Sequence, residues 1–326
     1  VNDTYKEIAG FGNLTYKFSD AFDLTGGLRI GRINQSYNQT FYGSDSAAFN
    51  TFLVLQGLTP VPADTGTTRG AETVKTYLLT ARYRFSPDGM IYARYATGFR
   101  PGGPNFSVPG LPASFDADST ENFEGGVKTK FWDGKGTIDV SAFYMRWKDI
   151  LIQVSSGGLN AYTNGGNARV YGVEGSLSLQ PVEGLTLAGT LSYNDGKITS
   201  IDPLAAASIG VGDPLPNSPK WSGSLALDYR TPVSGEWQAV VGATAKFVGQ
   251  RHATLRSSIL QPDYLIPKYA LFDLRAGVES DHVDISLFVR NLTDKRAQLS
   301  ATTANGINEV VVQRPRTIGA SVTFKY

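Results

Sequence analysis

The chain has no cysteine, and only two histidines and two methionines among its 326 residues. Without thiols it can build no disulfide framework, no thiolate metal site and no cysteine nucleophile. With imidazole present only at His252 and His282, the commonest general base at neutral pH is nearly absent. There is no Gly-x-Ser-x-Gly elbow and no phosphate-cradling glycine loop, so no catalytic residue is assigned and no enzyme is expected. Nor does any histidine pair or carboxylate cluster have ligand spacing, which leaves no expected metal or cofactor. Charge is sparse and balanced, with 30 Lys and Arg against 29 Asp and Glu, so bulk electrostatics gives no reason to expect nucleic acid as a partner. No run of 18 or more apolar residues occurs, which excludes a membrane-spanning helix.

What is abundant is glycine (36) and aromatic side chains (17 Phe, 16 Tyr, 4 Trp), arranged with a period of two. Leu185, Leu187, Gly189, Leu191 and Tyr193 alternate with Thr186, Ala188, Thr190, Ser192 and Asn194, as a strand with one apolar and one polar face requires. The pattern recurs in about thirteen segments: 8–18, 22–35, 72–85, 90–99, 120–131, 136–153, 169–180, 185–195, 220–230, 237–250, 269–279, 283–291 and 314–326. Short turns such as Ser86-Pro87-Asp88-Gly89 and Asp133-Gly134-Lys135 alternate with long connections at 36–71, 100–119, 154–168, 196–219, 251–268 and 292–313. Soluble domains seldom hold so many long structureless loops. Antiparallel strands with short turns at one end and long loops at the other predict an all-β, transmembrane antiparallel barrel. Tyr16, Phe18, Tyr83, Phe85, Phe131, Trp132, Trp221, Trp237 and Phe324 mark strand ends, as an interfacial aromatic girdle does. A soluble sandwich or propeller would also alternate, but leaves the one-sided loops unexplained. Bacterial barrels of one chain have even strand numbers, so thirteen strands predict part of a larger barrel.

Several stretches resemble TonB-dependent outer-membrane receptors: Tyr92 to Pro101, Phe123-Glu124-Gly125-Gly126-Val127-Lys128, Asn167 to Gly175, Leu191 to Asp195, Phe288 to Lys295, and Arg314 to Tyr326. The resemblance implies a 22-stranded barrel of which residues 1–326 supply the last thirteen strands, together with a lumen-filling plug domain that this sequence lacks. It implies energy-coupled uptake driven by the inner-membrane TonB complex, with a ferric siderophore as the commonest cargo. Oligosaccharide or aromatic-compound uptake is the alternative within the class, and a passive porin-like or structural barrel the alternative outside it. Haem is disfavoured, because Phe99-Arg100-Pro101 lacks the family's Phe-Arg-Ala-Pro and no Asn-Pro-Asn-Leu follows. Gly319, Val322, Phe324 and Tyr326 resemble the C-terminal signal read by the outer-membrane assembly machinery. Lipid or lipopolysaccharide surrounds such a barrel.

Two sets of residues are candidates for function. Arg100, Phe106, Tyr162, Arg251, His252, Arg256 and Tyr264 lie in or beside the long loops, where cationic groups suit an oxygen-rich anionic chelate and rings suit planar moieties. Arg251, His252 and Arg256 fall within six residues and make that loop the first choice. Period two turns Glu124, Lys128, Asp139, Arg169, Glu174, Asp228, Arg230, Asp273, Arg275, Glu279 and Arg290 inward, where they face a hydrated lumen or a plug.

Overall fold

The computed structural model describes residues 2–40, 43–55, 57, 60, 64–105, 112–156, 159–206, 209–255, 263–304 and 307–325. Thirteen strands form one antiparallel sheet in which every strand pairs with its predecessor among the thirteen. They are β1 (Asn2–Lys17), β2 (Phe22–Thr40), β3 (Asp64–Ser86), β4 (Gly89–Arg100), β5 (Asp118–Phe131), β6 (Gly136–Lys148) and β7 (Gly166–Leu179). The series continues with β8 (Leu185–Ile201), β9 (Trp221–Ser234), β10 (Trp237–Val248), β11 (Tyr269–Glu279), β12 (Val283–Arg290) and β13 (Thr317–Phe324). Among the described residues β1 and β13 each pair on one side only, so the sheet has two open edges. No helix is long and apolar enough to cross a membrane, which says nothing against strands doing so.

Register assigns the faces. Leu177, Gly189, Leu225, Ala245 and Phe272 stand directly opposite one another across β7 to β11. Leu179, Leu187, Leu227, Ala243 and Leu274 form the next row towards the short turns. Because the side-chain period is two, this apolar face continues across the sheet, ending in Ile318, Ala320, Val322 and Phe324 on β13. Leu225, Leu287 and Phe324 are 68%, 66% and 64% exposed, which in a barrel means facing lipid. The other face carries the charges. Close packing there uses glycine: a Cβ on Gly126 would sit 2.6 Å from the Tyr92 ring, and one on Gly319 2.5 Å from Phe288. Gly319 therefore lies under an inward ring, whereas Val322 and Phe324 point outward; Tyr326 is outside the described residues.

The long connections are built rather than structureless. β2 and β3 run on to Thr40 and Asp64, with α1 (Gly43–Leu55) between them, so the 36–71 connection is largely strand and helix. The segment read as one strand over 136–153 breaks at Asp149, whose φ of 56° lies in the left-handed region. Beyond it Leu151–Ser156 pairs with Leu159–Asn164 as a separate hairpin. Its alternating Ile150, Ile152 and Val154 are buried against Ala168, Ile198, Ala205 and Ile209, so strand periodicity here serves a small core in the loop layer. Further two-stranded pairs join Gly103–Pro104 to Ser114–Phe115, Arg251–His252 to Leu265–Ile266, and Gln298–Ala304 to Ile307–Val312.

Candidate functional site

The inward face is a lattice of paired charges. Near the short-turn end, Asp23 is 1% exposed and accepts from Arg82 at 2.6 Å and pairs with Arg84 at 2.7 Å. Asp228 is shared by Arg275 and Arg230, the latter at 2.7 Å, and Arg230 Nε also donates to Glu279 at 2.9 Å. Further along, Lys128 pairs with Asp139 and lies 5.7 Å from the Tyr92 ring, while Tyr92 Oη donates to Glu124 at 2.8 Å. Asp273 accepts the Asn291 backbone N–H at 2.7 Å, and Arg290 stacks over Phe288 at 4.9 Å without an ion pair among the described residues. Ten of the eleven inward candidates thus share one face, as alternation predicts. Arg169 is the exception. It stands opposite Arg146 and Lys197 on the face that carries Tyr171 and Val173, because period two counted from Val173 turns position 169 outward.

The loop layer distributes its candidates differently from the sequence expectation. Arg100 forks onto Asp118, with Nε at 3.2 Å and Nη2 at 2.5 Å, and Trp147 Nε1 donates to the same carboxylate at 2.9 Å. Asp118 is 4% exposed, so this is a buried anchor at the top of β4 to β6. Arg251 is 7% exposed, donates to the Leu299 carbonyl at 2.5 Å and lies 5.8 Å from the Tyr269 ring. Its other terminal nitrogen, Nη1, is buried without a hydrogen-bond partner among the described residues. His252 Nδ1 sits 2.6 Å from Asp263, and Tyr264 Oη donates to Gln298 at 2.9 Å. The 251–266 hairpin is thereby tied to the 298–312 hairpin through Ala253, Ile266 and Ala301. Tyr162 stays 47% exposed, its ring 6.0 Å from Phe115 and its backbone N–H held by Asn105 at 2.9 Å. Phe106 and Arg256 lie outside the described residues.

Sequence reasoning missed a pocket of about 180 Å³ on the inner side of the β2–β3 extension, lined by Ile33, Gln35, Glu72, Gly102, Phe115 and Asp116. Glu72 accepts the Gly102 N–H at 3.1 Å, and Gln35 donates to the Gly102 carbonyl at 2.8 Å. Glu72 is fourteen residues along β3 from its short-turn end, beyond the ~25 Å apolar band. Burial pushes its carboxyl above the usual range, nearby Asp116 adds to this, and the Gly102 hydrogen bond opposes it. No metal-holding cluster of carboxylates and histidines occurs among the described residues. What the mouth offers chemically is exposed rings, amide groups, an acid pair and the exposed Arg69 at the pocket's edge, while Arg100 and Arg251 are engaged.

Comparison with known proteins places this geometry. The family profile described as TonB dependent receptor-like, beta-barrel, matches residues 1–292. The metal-pseudopaline receptor CntO of Pseudomonas aeruginosa is 28% identical over 75% of this chain and 32% of its own length. The pesticin receptor of Yersinia enterocolitica is 24% identical over 99% of this chain and 44% of its own. The crystal structure of the ferric yersiniabactin uptake receptor FyuA from Yersinia pestis superposes with a TM-score of 0.80 at 20% identity, covering 98% of this chain and 45% of that one. The chain thus spans less than half the length of these relatives. The family consists of transport receptors of the outer membrane and not of enzymes, and this chain belongs to it: it is a TonB-dependent receptor β-barrel segment.

Proposed function

We propose that the chain forms part of the barrel of an energy-coupled outer-membrane receptor that takes up a scarce nutrient, with a ferric siderophore complex as the favoured cargo. The observation that carries this reading is the inward wall of paired charges beneath a built loop layer, which suits a lumen filled by a plug domain and capped by a selective mouth. The relatives support the cargo class, since one is named for a metal-pseudopaline complex and another for ferric yersiniabactin uptake. Unpaired strand edges at β1 and β13 cannot face hydrocarbon, so further strands close the barrel, 22 in all by family resemblance. On this reading Glu124, Lys128, Asp228, Arg230, Asp273, Arg275 and Arg290 meet the plug, and the TonB complex acts through that plug. Gly319, Val322, Phe324 and Tyr326 engage the assembly machinery, and lipid or lipopolysaccharide contacts the outward face.

The test is uptake of radio-iron siderophore complexes by cells carrying the full-length receptor, with and without a functional TonB complex. TonB-dependent accumulation of one complex is expected. Equal, unsaturable entry of small solutes in both strains would point to a passive channel instead. One observation favours the second reading, oligosaccharide or aromatic-compound uptake: Arg100 and Arg251 are engaged while Tyr162 stays exposed. A maltodextrin and an aromatic acid therefore belong in the uptake panel.

A further inference from the structure

The pocket on the inner side of the β2–β3 extension has a size and a chemistry that narrow what can enter it. At about 180 Å³ it is smaller than the roughly 300 to 1,000 Å³ that whole ligands occupy, and at ~30 Å³ per group it holds roughly six non-hydrogen atoms. It therefore suits one substituent of a larger molecule and not a whole chelate.

Acceptors converge there. Gln35 spends its amide nitrogen on the Gly102 carbonyl at 2.8 Å, which leaves Oε1 as its free acceptor. A Cβ on Gly103 would sit 3.3 Å from that oxygen and 3.0 Å from the Phe115 ring, so amide oxygen and ring close on one spot. Glu72 spends one oxygen on the Gly102 N–H at 3.1 Å and keeps the other. Asp116 completes the lining, its backbone N–H and carbonyl clamped by the Asn164 side chain at 2.8 and 3.0 Å. The Phe115 ring is steadied edge to face by Tyr162, 6.0 Å away. Among the described residues neither Glu72 nor Asp116 forms an ion pair, not even with the exposed Arg69 at the pocket's edge. Burial and Asp116 together push the Glu72 carboxyl up, as befits two carboxylates that lack a counter-ion.

We infer that this pocket takes a primary ammonium group carried by the cargo, its three N–H donors meeting Glu72, Asp116 and Gln35 Oε1 and its charge lying against the Phe115 ring. An anionic substituent would face two carboxylates. A bare divalent cation would leave unused the ring and the buried Ile33, 1% exposed, on which an alkyl stem can rest. The inference rests on the uptake reading above and deepens it, since it narrows the cargo to complexes that display an amine.

The test is titration of the purified full-length receptor in nanodiscs, followed by saturation-transfer NMR, with β-alaninamide as a small primary ammonium. N-acetyl-β-alaninamide and propanamide, which lack the charge, and calcium chloride are the comparison probes. Saturable binding of the ammonium is expected, roughly tenfold or more tighter than of either neutral amide, because both lose the charge-assisted hydrogen bonds. Glu72→Gln, which keeps an acceptor for the Gly102 N–H, and Asp116→Asn should each weaken it roughly tenfold, and Phe115→Leu about threefold. Equal binding of the neutral amides, undiminished binding by both acid variants, or calcium binding that is lost in the same two variants overturns the site. If Glu72→Gln loosens the chain at Gly102, Asp116→Asn and the wild-type preference among the probes still decide. In cells, acetylating the amine of a transported complex should lower its uptake, and equal uptake of the acetylated complex overturns the link to cargo. Neither iron nor the TonB complex enters the titration, so its failure leaves the transport reading intact, and a receptor without TonB-dependent uptake leaves the ammonium site standing.

Discussion

Leu225 offers the sharpest check on which face meets lipid. It stands on β9 between Gly189 of β8 and Ala245 of β10, two residues too small to cover it, and is 68% exposed. Gly189 is four residues from the short-turn end of β8, which places the row about 10 Å into an apolar band of ~25 Å, close to its midplane. An arginine there should cost roughly 2 to 4 kcal/mol, a 30- to 700-fold change in the folded-to-unfolded ratio at about 1.4 kcal/mol per decade. The neighbouring Ser224 points the other way and shares a 2.8 Å hydrogen bond with Thr190. Ser224→Arg loses that bond and places its guanidinium in the polar lumen, a cost of about 0.5 to 1.5 kcal/mol. The measurement is equilibrium unfolding of the full-length receptor in lipid vesicles, followed by tryptophan fluorescence. If Leu225→Arg unfolds at the wild-type denaturant concentration while Ser224→Arg is the damaging change, the face assignment is wrong.

Three further outcomes follow from the loop layer. Arg251→Ala removes a buried donor to Leu299 and should loosen the 251–266 hairpin by about 1 to 3 kcal/mol. Limited proteolysis should then cut that loop faster, whether or not cargo affinity changes. Asp118→Ala should free both Arg100 and Trp147 and raise hydrogen exchange at the tops of β4 to β6, and Asp118→Asn should recover part of the protection by keeping one acceptor. At Glu72 the folded-state pKa is raised, so the protonated form favours docking of the chain at Gly102. That contribution is full below the ordinary glutamate value of 4.5 and is lost as pH rises through the raised one. Glu72→Gln should abolish the pH dependence of the protection factor at the Gly102 amide, the exchange rate taken relative to its intrinsic value at each pH; a protection factor that keeps the same pH dependence would assign it to another group.

The barrel was legible because period two is a strong, local and redundant signal. All thirteen segments appear in the sheet, and misplacements fall at strand ends, where alternation continues into the loop layer or ceases early. Asp149 shows why: nothing in the apolar pattern around Ile150 to Val154 distinguishes a strand that continues from one that turns and pairs with itself. The outer aromatic row was missed for a related reason. Tyr95, Phe123, Tyr144, Tyr171 and Tyr193 lie inside their strands in sequence, and only the stagger of the sheet brings them to one level. Arg169 went astray because it was counted with the lumen charges, although parity from Val173 already turns it outward.

Loop chemistry was far less legible, and the two arginines show the physical cause. Arg100 and Arg251 read as candidate ligand-binding cations because sequence displays a charge without its partner. Asp118 lies 18 residues from Arg100, and the carbonyl that Arg251 meets lies 48 residues away in a different hairpin. Loop cations in a layer this closely tied tend to be consumed by the layer itself, since a guanidinium can satisfy several acceptors that no strand reaches. The cations left unspent on β6 to β8 are instead those that register forces side by side on the outer face.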